Sequence, residues 1–110
     1  MDDFAADTLL FDFYSEMLNK HTKEVFEAYI NEDLSLSELS ERFDMTRQGA
    51  SDLIRRTRKS LRDFEDKLGL EKRFRRIGEE VEKIKKAASG LENAEGRIIE
   101  EAADRIMGEL

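Results

Sequence analysis

Few side chains in this sequence can do covalent or acid–base chemistry. His21 is the one histidine and cysteine is absent, which removes disulfides, thiolate nucleophiles and Cys-based zinc sites together. His21 falls in an expected link between two helices, where an exposed imidazole without a role is the expectation. Carboxylates are abundant and include close pairs such as Glu79 and Glu80, yet acids on solvated helices have no reason to acquire shifted pKa values. No enzyme signature emerges, and no cofactor or metal is expected. What remains is the chemistry of cations. Residues 46–76 carry 11 bases and 5 acids, net +6, whereas 1–45 carry 12 acids and 3 bases and 77–110 carry 9 acids and 5 bases. The overall charge of −7 argues against a polyanion partner, but the basic island inside it argues for one.

The island has a helical order. At about 100° per residue, Ala50, Leu53, Ile54, Thr57 and Leu61 gather on one side of a helix opened by Thr46, and Gln48, Ser51, Asp52, Arg55, Arg56, Lys59 and Arg62 face away. Just upstream, the segment 36–55 reads LSELSERFDMTRQGASDLIR, the pattern of a helix-turn-helix, in which two helices cross over a short turn and a few sites must be apolar or small. Leu39, Phe43 and Met45 supply a shared core, Ser40 the small residue at the crossing, and Ala50 and Leu53 the inner face of the second helix. Asp44 stands in the turn, where it tolerates a left-handed backbone less well than Gly but better than most residues. A recognition helix of this kind puts its first turns against base edges and its later cations on phosphate. Arg47 is suited to guanine and Gln48 to adenine, with Ser51 and Asp52 beside them and Asp52 able to accept from cytosine. Arg55, Arg56, Arg58, Lys59 and Arg62 are the expected phosphate contacts. Thr46 caps the helix and leaves backbone N–H groups for a phosphate. The competing account is a solvated charged face paired with Asp52, Asp63, Glu65 and the acidic helices.

Positioning these residues falls to an all-α framework. A chain of 110 residues with 41% charged residues, 6 Gly and no Pro suits long solvated helices and one domain with at most one appended element. No apolar run approaches about 18 residues and no charged-then-apolar leader opens the sequence, so a cytoplasmic protein is expected. Leu9, Leu10, Phe13, Tyr14, Met17 and Leu18 predict a helix over 5–19. Thr22 is the expected cap of a second helix carrying Val25, Phe26, Tyr29 and Ile30, ending near Glu32. Ser35 or Ser37 caps a short third. The fourth runs from Thr46 through Leu68 on the seam of Ala50, Ile54, Thr57, Leu61, Phe64 and Leu68, and Gly69 shifts the phase. Leu70, Phe74, Ile77, Val81, Ile84, Ala88 and Leu91 continue at alternating spacings of 4 and 3, and Ile98, Ile99, Ala102, Ile106 and Met107 mark a terminal helix. The expected division is a helix-turn-helix domain over 1–70 and a helical tail over 71–110. The tail's seam is covered either by folding back on the Leu9–Leu18 stripe or by a second copy; a homodimer is favoured, because two half-sites strengthen DNA binding.

The stretch from His21 to Phe74, above all SLSELSERFDMTRQGASDLIRRT and EDKLGLEKRF, resembles the YlxM (p13-like) helix-turn-helix proteins of Gram-positive bacteria. These in turn resemble the promoter-reading C-terminal region of sigma factors. LLFDFYSEML near the start fits the same pattern. The resemblance implies a small helical DNA-binding regulator tied to the signal recognition particle pathway. The other reading that it leaves open is an adaptor that binds an RNA or protein component of that particle through the same basic face. Lys23 stands where the family has Pro at the head of helix two, and Gly49 and Ala50 soften the recognition helix.

Overall fold

A computed structural model describes residues 3–110. The protein is all-α, and it divides into two compact units, 1–69 and 70–110.

In the first unit, α1 spans Asp3–Tyr14 and passes into a 3-10 turn over Ser15–Met17. The spacing that predicts helix as far as 19 is broken at Leu18, which is extended, and Asn19 opens α2 (Lys20–Asn31). The cap of α2 is therefore Asn19 rather than Thr22. The Thr22 backbone N–H donates to Asn19 Oδ1 at 2.9 Å, because an Asn carbonyl reaches the third amide of a helix as well as a hydroxyl does. His21 consequently lies in the first turn of α2, exposed, with its ring edge toward Phe43. Ser35, not Ser37, caps α3 (Leu36–Arg42). Its hydroxyl takes the Glu38 N–H while the Glu38 carboxylate takes the Ser35 N–H, a reciprocal capping box. Thr46 opens α4 (Arg47–Leu68), and left-handed Gly69 ends it.

Tyr14, Val25, Phe26, Leu39, Ala50 and Leu61 are fully or almost fully enclosed, so all four helices contribute to one core. The α1 stripe is not quite the one the spacing suggests: Phe11 is buried with Leu10 and Tyr14, while Met17 is 52% exposed. Asp7 shares the buried face. It sits three, four and seven residues before Leu10, Phe11 and Tyr14, which is one side of a helix.

In the second unit, α5 (Leu70–Ser89) and α6 (Ala94–Glu109) form an antiparallel hairpin. Val81 and Ala88 pack into it opposite Gly96 and Ala103, and Lys85 bridges to Asp104 at 2.9 Å. The α5 seam is thus covered by α6 at Val81 and Ala88, while Leu70, Ile84 and Leu91 stay exposed; neither of the two expected covers includes this arrangement. Gly96 is required by the approach of the chain: a Cβ there would lie 2.6 Å from the Leu91 carbonyl oxygen. The same residue donates its N–H to Asn93 Oδ1, which caps α6.

Candidate nucleic-acid interface

The α3–turn–α4 segment has helix-turn-helix construction. Leu39, Ala50 and Leu53 are buried, with Phe43 and Met45 packed against them and Ser40 half-buried. Between the helices the Met45 N–H donates to the Ser40 carbonyl at 3.0 Å. Asp44 adopts φ +51°, the left-handed turn conformation in which Asp is tolerated and Gly unstrained. Thr46 Oγ1 then accepts the Gly49 N–H at 2.9 Å. Gly49 fits closely there, since a Cβ would come to 3.0 Å from that hydroxyl.

Ala50, Leu53, Ile54, Thr57 and Leu61 are the buried residues of α4, as the angular spacing requires. Thr57 is polar but satisfied, donating its hydroxyl to the Leu53 carbonyl at 2.7 Å. On the outward side, Thr46, Arg47, Gln48, Arg55, Arg56 and Lys59 are exposed, and Ser51, Asp52 and Arg62 are half-buried. Among the described residues, Arg47 has no ion-pair partner. Asp52 is the centre of the face. Its Oδ1 accepts from Gln48 Nε2 at 3.1 Å and from Arg55 at 3.0 Å, and its backbone carbonyl accepts from Arg56 Nε at 3.3 Å. Lys59 pairs with Asp63 at 3.0 Å. These contacts are exposed and within one helix, so each holds its side chain weakly and can be exchanged for a phosphate.

Arg58 is placed differently from the other expected phosphate contacts. Its guanidinium, 26% exposed, donates from Nε to both Asp7 carboxylate oxygens at 3.0 and 2.8 Å, and reaches Tyr29 Oη at 3.3 Å. The hydrogen bonds to Asp7 raise its pKa further above the usual arginine value, against the opposing effect of burial. Arg62 Nη2 lies 3.8 Å from Asp7 Oδ1, an oxygen that also accepts from Arg58 Nε. A side chain so committed ties α1, α2 and α4 together. Asp7 itself is absent from any reading based on the basic island, although its place on the apolar side of α1 marks it as a buried charge in need of a cation.

Among the described residues, no three His, Asp or Glu side chains converge into a group able to hold a metal ion, and no described helix is long and apolar enough to cross a membrane.

The sequence profile of the family UPF0122, described as "Putative helix-turn-helix protein, YlxM / p13 like", matches residues 2–101. A UPF0122 protein of Thermoanaerobacter sp. (strain X514) is 44% identical, covering 96% of this chain and 94% of that protein. Another from Caldanaerobacter subterraneus subsp. tengcongensis is 45% identical over 76% of this chain and 72% of its own. A third, from Bacillus velezensis, is 41% identical over 78% of each. No solved structure matches significantly. With a helix-turn-helix built by α3 and α4 and a family match across nearly its whole length, the chain belongs to the YlxM / p13-like UPF0122 family.

Proposed function

We propose that this protein is a non-enzymatic regulator that binds double-stranded DNA by laying the first half of α4 in the major groove, as a homodimer in the cytoplasm. The observation that carries this reading is the two-sidedness of α4. Its apolar side is buried, while Arg47, Gln48, Arg55, Arg56 and Lys59 are exposed beyond the helix-turn-helix turn. Arg47, Gln48, Ser51 and Asp52 would meet base edges, and Thr46, Arg55, Arg56, Lys59 and Arg62 the backbone. Arg58 leaves the contact set because Asp7 already neutralises it.

The test is the salt dependence of binding to duplex DNA. Replacing Arg55 and Lys59 together by Ala should weaken binding to every sequence and lower the slope of log affinity against log salt by about 2. Unchanged affinity and slope would reject the reading.

One observation favours a second reading, in which the same face makes an adaptor for an RNA or protein component of the signal recognition particle. Asp52 engages both Gln48 and Arg55, directing a carboxylate where the electronegative groove of DNA would lie. Competition between duplex DNA and structured RNA at matched salt separates the two, the adaptor preferring RNA or protein and showing no duplex sequence preference.

A further inference from the structure

We infer that the α5–α6 hairpin is the dimer contact, pairing one apolar face with the same face of a second copy to make a four-helix arrangement. The inference deepens the homodimer of the proposed function and rests on it, but not on what α4 binds.

The hairpin has two unlike faces. Val81 and Ala88 of α5 meet Gly96 and Ala103 of α6 along the seam. On one side of that seam lie Lys85, paired with Asp104, and a groove lined by Glu82, Ser89 and Glu100. Turning each helix the other way by about half a right angle, at 100° per residue, brings Ile84 and Leu91 of α5 beside Ile99, Ile106 and Leu110 of α6. These five are 40–48% exposed. Two helices in contact bury one stripe each and leave the rest open, and a stable helical layer needs a second layer over its apolar side.

The dimensions suit a second copy. Five half-exposed side chains and their neighbours' aliphatic stems offer on the order of 500 Å² per copy, so that a pair reaches about 1,000 Å², where specific interfaces begin. Exposed carboxylates border the face at similar angles, Glu80 four residues before Ile84 and paired with Lys83 at 3.1 Å, and Glu95 four before Ile99; the apolar patch between them is self-complementary, as two-fold symmetry requires. The rim is complementary as well. Arg76 flanks the face near the start of α5 and Glu109 near the end of α6, both exposed, and the antiparallel helices bring these ends together. A two-fold axis parallel to the hairpin sets each α5 on the other copy's α6, with Arg76 of one copy beside Glu109 of the other. All neighbouring helices are then antiparallel, the usual order of a four-helix bundle.

Sedimentation of the full chain tests this. The wild type should be a dimer at micromolar concentration. Ile84→Glu with Ile106→Glu should raise the dimer dissociation constant by at least about 100-fold, since two carboxylates per copy would have to be desolvated. Both positions are exposed, so helicity by circular dichroism should be unchanged. A dimer that persists in this variant overturns the assignment of the face while leaving the homodimer standing; a wild type that stays monomeric overturns both. The absence of cysteine gives a second measurement that does not depend on how the double variant folds. Ile84→Cys should be joined into covalent dimers by a short thiol-specific crosslinker, and Glu82→Cys, on the opposite face, should not. Equal crosslinking of the two, or none at Ile84→Cys, rejects the proposal.

Discussion

Asp7 of α1 and Arg58 of α4, 51 positions apart, meet in a two-oxygen ion pair in which the carboxylate is 1% exposed. The pair fixes how α4 is turned about its own axis, because Arg58 points to the core only when Arg55 and Lys59 point outward. A buried carboxylate left alone cannot be solvated, and neither Arg62 at 3.8 Å nor Tyr29 replaces two direct hydrogen bonds. Arg58→Met should therefore cost about 3 kcal/mol of stability by urea unfolding, the range for breaking a buried pair from one side. Replacing both residues, Asp7→Leu with Arg58→Met, should recover most of that loss. If Arg58 served as a phosphate contact instead, Arg58→Met would leave stability unchanged and reduce the salt slope of DNA binding.

Most of this architecture is legible in the sequence because it is local. The seam of α4 follows from residue spacing, and the caps at Thr46 and Ser35 follow from short-range side-chain acceptors. Charge count, by contrast, does not tell a free cation from a committed one. Arg58 belongs to the same run as Arg55, Arg56 and Lys59, and its partner lies in another helix. The missing signal was Asp7 itself, at apolar spacing from Leu10, Phe11 and Tyr14 in the sequence. The α5–α6 hairpin is less legible because it depends on Gly96, a residue type that suggests a break; here it is the residue small enough for the Leu91 carbonyl to approach. At the end of α1, two helix-compatible patterns meet, and the Asn19 cap prevails over continuation through Leu18.

Asp52 restrains the outward face by holding Gln48 and Arg55 in one hydrogen-bonded cluster. Asp52→Asn keeps the shape and an acceptor oxygen but removes the charge. If α4 binds a nucleic acid, affinity should rise several-fold and the salt slope should steepen by up to about one counterion, as Arg55 becomes available to phosphate. Fluorescence anisotropy with labelled duplex over a range of salt reads both quantities. Weaker binding confined to sequences with cytosine at one position would instead identify Asp52 as a base-reading acceptor.

The Glu38 carboxylate has its pKa lowered from 4.5, first by the Ser35 backbone N–H and then by the Ser35 side chain. A group whose pKa falls on folding contributes stability above its unfolded value and loses it as pH drops through the lower, folded value. The contribution of the Glu38 charge to the capping box should thus be complete above pH 4.5 and be lost as pH falls below it through the lower, folded value. Wild type and Glu38→Gln, compared by thermal unfolding, should differ at neutral pH and converge in acid. A difference that stays constant across that range would show that the carboxylate's charge does not hold the start of α3.

Asp44 is the residue on which the angle between α3 and α4 turns, and it holds φ +51° in a conformation that L-residues adopt at a cost. Its neighbours make that conformation necessary: Phe43 ends α3 through its N–H to the Leu39 carbonyl, and the Met45 N–H returns to Ser40. A Gly at this position relieves the Cβ clash but frees the unfolded chain, so the two effects oppose one another. The left-handed penalty for an L-residue, about 1–2 kcal/mol, exceeds the entropic cost of Gly, about 0.5–1 kcal/mol. Asp44→Gly should accordingly stabilise the fold by up to about 1 kcal/mol, raising the melting temperature by several degrees for a domain of this size, with the crossing of α3 and α4 unchanged. Asp44→Val, β-branched and strained at positive φ, should lower the melting temperature. Were both substitutions destabilising, the Asp44 carboxylate itself would have to be stabilising the turn.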